Sequence, residues 1–318
     1  MKYNFCGNSG LQLPEISLGL WHNFGDVDDF KMATSMILHA FEKGITHFDL
    51  ANNYGPPPGS AETNFGKVLS KELRGHRDEL VISSKAGHLM WNGPYGDGGS
   101  RKYIMASIDQ SLKRTGLEYF DIFYSHRYDP QTPIEETMQA LIDIVRQGKA
   151  LYIGISKYPP EKLTQAYDIL KSQHVPCLIY QDKYSMLVRN PEAEHMGINE
   201  KYGVGFIAFS PLAQGVLTNK YLQGIPETSR AHKSHGFLQE SEITPEVIKK
   251  VSALNRLAVE RGQTLAEMAI AWLLHNKHVT SVIVGTSSVK QLEDNLKAKD
   301  NAQFSNEELK LIENILAQ

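Results

Sequence analysis

Cysteine is scarce in this chain: Cys6 and Cys177 are the two among 318 residues. That excludes a fold stapled by several disulfides. One bridge between the pair is feasible on paper, but two reduced thiols suit a chain without a secretory start. There is no CxxC and no HExxH, so no metal is expected. No apolar run reaches the ~18 residues that a transmembrane helix needs. The opening MKYNFCGNSGLQLP lacks the apolar segment of a signal peptide. An excess of one charge is also missing: 33 Lys and Arg stand against 36 Asp and Glu, a formal charge of −3. Nothing here favours a nucleic acid or an anionic membrane as partner. The expectation is a cytoplasmic, soluble protein.

What is present is ordinary globular composition, 41% apolar and 22% charged. The start reads as a hairpin, YNFC and LQLP around turn residues at Gly7 to Gly10. Short apolar runs then alternate with helical stretches: ISLGLW (16–21), HFDLA (47–51), LVISSK (80–85), FDIFYSH (120–126), ALYIGIS (150–156), CLIYQD (177–182), GFIAFSP (205–211) and SVIVGTS (281–287). Helices are expected near 29–43, from Ser60 as an N-cap, over RKYIMASIDQSLKRTG, from Thr132 as N-cap with Pro133 at N1, over PPEKLTQAYDILKSQ, near 191–202, 245–261 and 264–276, along VKQLEDNLKAK, and at 305–316. Continuous apolar strands joined by crossover helices mean parallel strands buried on both faces. Eight such units imply an α/β fold, one (β/α)8 barrel domain over 1–318 with a hairpin cap over 1–14. The rival is a doubly wound sheet. Its one supporting motif, GVGFIA (203–208), precedes a strand instead of following one, so it is not a dinucleotide fingerprint.

Chemistry in such a barrel gathers where strands end. The tips supply Trp21, Asp49 and Tyr54, Lys85, His126 with Arg127, Ser156 and Lys157, Gln181, Ser210, and Gly285 to Ser287. The stretch HFDLANNYGPPPGSAE places Asp49 inside an apolar strand, and a core carboxylate needs a partner. Taken singly, Asp49, Lys85 and His126 each have a bland structural reading, as a loop partner, a snorkelling lysine and a core-edge histidine. Taken together, Lys85 on the neighbouring strand can pair with Asp49. Its charge would lower the pKa of a nearby phenol, Tyr54, from about 10 and make it a general acid. His126 adds a donor for a carbonyl oxygen.

These four residues, with GITHFDLANNYG, ISSKAG and DIFYSH, resemble the aldo-keto reductases, and the resemblance runs over nearly the whole chain. SLGLWHNFG, NNYGPPPGSAE, GGSRKY and YSHR are most similar to the bacterial glyceraldehyde-3-phosphate and methylglyoxal reductases; the potassium-channel β subunits are more distant. The resemblance implies Asp49, Tyr54, Lys85 and His126 as a catalytic set and NADPH as cofactor. Asp49, Ser156, Lys157, Gln181 and Trp21 would then surround the nicotinamide, with Phe209 stacked on it. Ser210, Pro211, Leu212, Gln214 and Gly215 would wrap the pyrophosphate. Lys220 and Arg230 would lie near the adenosine phosphates, and Gly285, Ser287, Gln291, Asp294 and Asn295 at the adenine end. Lys157 stands where many members have Asn, and Asp294 where close relatives have Glu.

Trp21, Tyr54, His126 and Trp91 are expected to face a small carbonyl substrate such as glyceraldehyde 3-phosphate or methylglyoxal, with Tyr95 nearby and Arg101 placed to meet an acidic group. Self-assembly into a homo-oligomer is within expectation. The alternative is a cofactor-binding regulatory subunit that reports redox state by slow turnover. A metal-dependent hydrolase is the third reading, and His126 is the one histidine among the tips.

Overall fold

The apolar runs become strands because each is short and carries β-branched or aromatic residues. The computed structural model describes residues 1–222 and 240–317. A hairpin of β1 (Tyr3–Phe5) and β2 (Gln12–Pro14) comes first. Then follow β3 (Ile16–Gly19), β4 (His47–Asp49), β5 (Val81–Ala86), β6 (Phe120–Ser125), β7 (Ala150–Ser156), β8 (Cys177–Lys183), β9 (Gly205–Phe209) and β10 (Ser281–Val284). These eight are parallel, and β10 pairs with β3 to close a barrel. The helices are α1 (Phe30–Glu42), α2 (Ser60–Lys71), α3 (Arg101–Thr115), α4 (Ile134–Arg146), α5 (Pro160–Ser172), α6 (Asn190–Glu194), α7 (Met196–Tyr202), α8 (Pro245–Glu260), α9 (Leu265–His275), α10 (Val289–Leu296) and α11 (Asn306–Ala317). No helix among the described residues is long and apolar enough to cross a membrane.

Helix starts differ from the sequence reading at two places. Ser60 is not the cap of α2: Gly59 is, in the left-handed region at φ 88°, and the Ser60 hydroxyl donates to the Pro57 carbonyl. Thr132 does not cap α4 either. Its hydroxyl donates to Asp129, which leaves Pro133 at the cap with no side-chain bond. In both cases the preceding turn claims the hydroxyl that the helix would have used. The helix expected near 191–202 is broken in two at His195.

Strand periodicity splits the core. Outward side chains pack under the helices. Inward ones, among them Ile122, Tyr124, Ile179, Ile207 and Ile283, fill the barrel. Cys6 and Leu13 of the hairpin join this inner cluster, so the hairpin plugs the end where the strands begin. Gly7 permits the close approach: it sits at φ 53°, and a Cβ there would lie 2.1 Å from the Gly203 carbonyl oxygen. Inside the barrel, Gly154 makes room for the Tyr124 ring, which a Cβ would meet at 2.3 Å. Both cysteines are buried and free. Burial pushes each thiol up to about 12, so they are unreactive at neutral pH.

One buried charge ties helices to the sheet. Glu62 of α2 is 0% exposed. It accepts from Ser84 of β5 at 2.6 Å and from Arg114 of α3 at 2.6 Å. Removing one partner of such a pair strands a charge in the interior. Arg114→Ala is therefore expected to lower unfolding free energy by about 3 kcal/mol in urea titrations; a loss under about 0.5 kcal/mol would show that the pair is not structural.

Candidate active site

Three adjacent strands build the site at the end where the strands finish. Asp49 ends β4, Lys85 lies near the end of β5, and His126 follows β6. Register brings the first two together. Asp49 is level with Ser83, and Ser83 and Lys85 share one face because strand side chains alternate with period 2. Lys85 is 0% exposed and Asp49 2%. The Lys85 ammonium donates to Asp49 Oδ2 at 2.5 Å, to the Leu50 carbonyl at 2.7 Å and to Tyr54 Oη at 3.3 Å. The other carboxylate oxygen, Oδ1, accepts from Ser83 at 2.8 Å and from Gln181 at 3.2 Å.

Tyr54 lies beyond β4, in the turn that leads to α2. Because an ammonium only donates, the phenol oxygen accepts from Lys85 and keeps its own proton for another acceptor. Burial, followed by the Asp49 charge, holds this phenol well above its ordinary pKa. That is opposite to the direction expected from Lys85 alone, because dehydration outweighs the single favourable contact. Burial also pushes Lys85 below its usual value, and Asp49 opposes the shift.

The His126 ring meets Tyr54 edge-on at 5.9 Å between centroids. Burial and then Lys85 hold its pKa well below the usual histidine value, so the imidazole is neutral. Trp21 lies 6.1 Å from the Tyr54 ring. His88, which sequence reasoning passed over, packs edge-on against His126 at 4.5 Å. Its signal was its place three residues after Lys85, where the strand opens into a loop. Arg127 donates to the Gly87 carbonyl and to Asp97, clasping that loop at both ends.

Other expected residues fall into two groups. Ser156 at the end of β7 and Asn295 of α10 carry buried polar atoms, Oγ and Nδ2, without a partner. Buried polar atoms usually have a partner, so both stand out. Ser287 donates from its backbone and its hydroxyl to Gln291, and Ser288 caps α10. The segment after β9, Ser210 to Gly215, has left-handed backbone at Ser210, Ala213, Gln214 and Gly215. Lys157 is also left-handed at φ 54°, and its ammonium lies 5.1 Å from the Phe209 ring centroid.

The remaining expected residues have neighbours of their own. Arg101 pairs with Asp143 of α4. The Trp91 ring packs on Tyr103 of α3 at 5.3 Å, and Tyr95 is exposed beside Lys102. Asp294 is held by Lys290 and Lys297 on the surface. Lys220 lies over Tyr221, and Arg230 lies outside the described residues.

Residues 15–317 match the aldo/keto reductase family. The chain belongs to that family. As an aldo/keto reductase it is an oxidoreductase, of a kind that generally works with NAD(P)H. It is 52% identical over 323 positions to a protein of Escherichia coli O157:H7 named L-glyceraldehyde 3-phosphate reductase, covering 100% of this chain and 93% of that one. The counterpart in Escherichia coli strain K12 carries the same name and is 51% identical. An Arabidopsis thaliana protein named probable voltage-gated potassium channel subunit beta is 38% identical over 306 positions, covering 94% of this chain and 92% of that one.

Two further rings of this reductase are held below the usual histidine pKa. His47, fully buried on β4, and His88 are both pushed down to about 4, chiefly by burial. Between about pH 4 and about 6.5 the unfolded chain thus binds more protons at these rings than the folded protein. Stability rises with pH across that window and is lost as pH falls through it. Urea midpoints are expected to fall as pH is lowered from about 6.5 to about 4, and His88→Phe to flatten the fall; an unchanged slope would remove His88 from the account.

Proposed function

We propose that this reductase converts carbonyls of small aldehydes and ketones to alcohols with NADPH, Tyr54 serving as general acid. The observation that carries the reading is the Lys85 ammonium in contact with both Asp49 Oδ2 and Tyr54 Oη. Bound NADPH would supply hydride to the carbonyl carbon. As that carbon is reduced, negative charge grows on the oxygen. Tyr54 gives it a proton, and the O–H bond of the phenol breaks as the alcohol O–H forms. Lys85 then faces a phenolate, and its hydrogen bond becomes an ion pair at the moment it is needed. Asp49 holds Lys85 in place. A neutral His126 retains one N–H, which suits it to orient the substrate oxygen without competing as an acid.

The raised pKa of Tyr54 bears on direction. A phenol held well above its ordinary value stays protonated and ready to donate. The reverse reaction needs the phenolate, which burial disfavours. Carbonyl reduction is therefore expected to be nearly flat from about pH 6 to about 9, with alcohol oxidation climbing over the same range.

The unpartnered atoms of Ser156 and Asn295 fit a carboxamide and an adenine at opposite ends of an extended dinucleotide. Ser156, Lys157, Gln181 and Phe209 would flank the nicotinamide, and the segment Ser210 to Gly215 the pyrophosphate. Ser287 and Gln291, at the start of α10, would face the adenosine end, where a helix N-terminus favours an added phosphate. This supports NADPH over NADH. The names of the Escherichia coli relatives support glyceraldehyde 3-phosphate or a similar small aldehyde as substrate.

Tyr54→Phe is expected to lower kcat for aldehyde reduction by roughly 10²- to 10⁴-fold, with NADPH affinity by fluorescence titration little changed. Wild-type turnover in this variant would overturn the assignment.

A further inference from the structure

Beneath Asp49 the barrel carries polar side chains that the proposed chemistry does not use. His47 lies two residues before Asp49 on the same face of β4 and is 0% exposed. Its Nε2 is 3.1 Å from Ser83 Oγ and its Nδ1 is 2.8 Å from Ser17 Oγ. Ser17 Oγ is in turn 2.6 Å from Ser281 Oγ. All four residues are 0% exposed. The chain crosses β10, β3, β4 and β5 and ends on Asp49 Oδ1, which accepts from Ser83 at 2.8 Å.

Counting protons fixes the direction of every bond. Asp49 faces the Lys85 ammonium and is a carboxylate, which only accepts. Ser83 therefore spends its single hydrogen on Asp49. Toward His47 it has only lone pairs left, so His47 Nε2 carries the hydrogen and donates. Burial keeps the ring neutral, its pKa pushed down to about 4. A neutral ring has one N–H, so Nδ1 is bare and accepts from Ser17. Ser17 has then spent its own hydrogen, and Ser281 must donate to it.

We infer that His47, Ser83, Ser17 and Ser281 form a one-way hydrogen-bond chain, with His47 as the Nε2–H tautomer, that positions the Asp49 carboxylate for Lys85. With Oδ1 engaged by Ser83 and Gln181, the carboxylate plane is fixed and Oδ2 is presented to the ammonium. Lys85 is thereby aimed at Tyr54. His47 and Ser83 are positioning residues, since neither touches Tyr54. The inference rests on the role proposed above for Asp49 and Lys85. The tautomer itself does not, and it can be read without turnover.

Two experiments test it. Imidazole ¹⁵N spectra of the full chain, with His47 assigned by loss of its signals in His47→Gln, are expected to show the Nε2–H tautomer at about pH 7 and still neutral at about pH 6. An Nδ1–H tautomer or an imidazolium would overturn the chain. In kinetics, His47→Leu is expected to lower kcat roughly 10- to 100-fold, with KM for the aldehyde and NADPH affinity within about twofold. His47→Gln keeps an acceptor and a donor and is expected to recover most of that loss. Ser83→Ala interrupts the chain one step nearer Asp49, and adding His47→Leu to it is expected to cost less than about twofold more. Full additivity of the two, or wild-type kcat in His47→Leu, would overturn the positioning role. If His47→Leu does not fold, Ser83→Ala and the spectra still decide. Should Tyr54→Phe retain full activity, the spectra alone would still judge the chain, so the two readings fail separately.

Discussion

The ion pair between Asp49 and Lys85 is the contact on which the rest of the site depends. Neither group has access to water, and an isolated charge at that depth is prohibitive. Each is tolerable only because the other is there and because the remaining bonding capacity is filled. Lys85 satisfies its three donors on Asp49, the Leu50 carbonyl and Tyr54. Asp49 has acceptors occupied by Lys85, Ser83 and Gln181. One donor of the lysine therefore rests on a group that can itself change charge. In the proposed reaction this third arm would respond as the phenol gives up its proton.

The barrel supplies the conditions for this pairing. Parallel strands with period-2 alternation put Ser83 and Lys85 on one side of β5 and Ser84 on the other. The inward pair serves Asp49, while Ser84 serves Glu62 of α2. One strand thus takes part in two buried polar assemblies that face opposite ways. Gly154 lets the Tyr124 ring enter the same interior, and that ring lies 5.6 Å from the Lys85 nitrogen. The lysine is surrounded by aromatic and polar partners with no gap for water.

Much of this was legible in the sequence. The alternation of apolar runs and helical stretches gave eight strands at nearly their final bounds, and the hairpin before them. Strand-tip reading drew attention to Asp49 and Lys85 because polar residues in apolar strands stand out, and to Tyr54 and His126 because they follow strand ends; the structure brings the four side by side. Helix starts were less legible, since the hydroxyls of Ser60 and Thr132 are claimed by turns whose shape is not written locally. The inward polar layer was missed for a related reason. His47 and Ser83 look like ordinary strand residues until register places them beside Asp49. The partner of Arg101 was out of reach for the same reason, since only the packing of α3 on α4 brings Asp143 to it. The direction of the Tyr54 shift was likewise beyond the sequence, because it depends on how completely the neighbourhood excludes water.

The hairpin at the beginning of the chain has a consequence for the barrel's interior. Cys6 and Leu13 pack into the inner cluster, so the chain's own first residues cover the end where the strands begin. Loosening that hairpin would be felt by the same packed interior that holds Tyr124 beside Lys85.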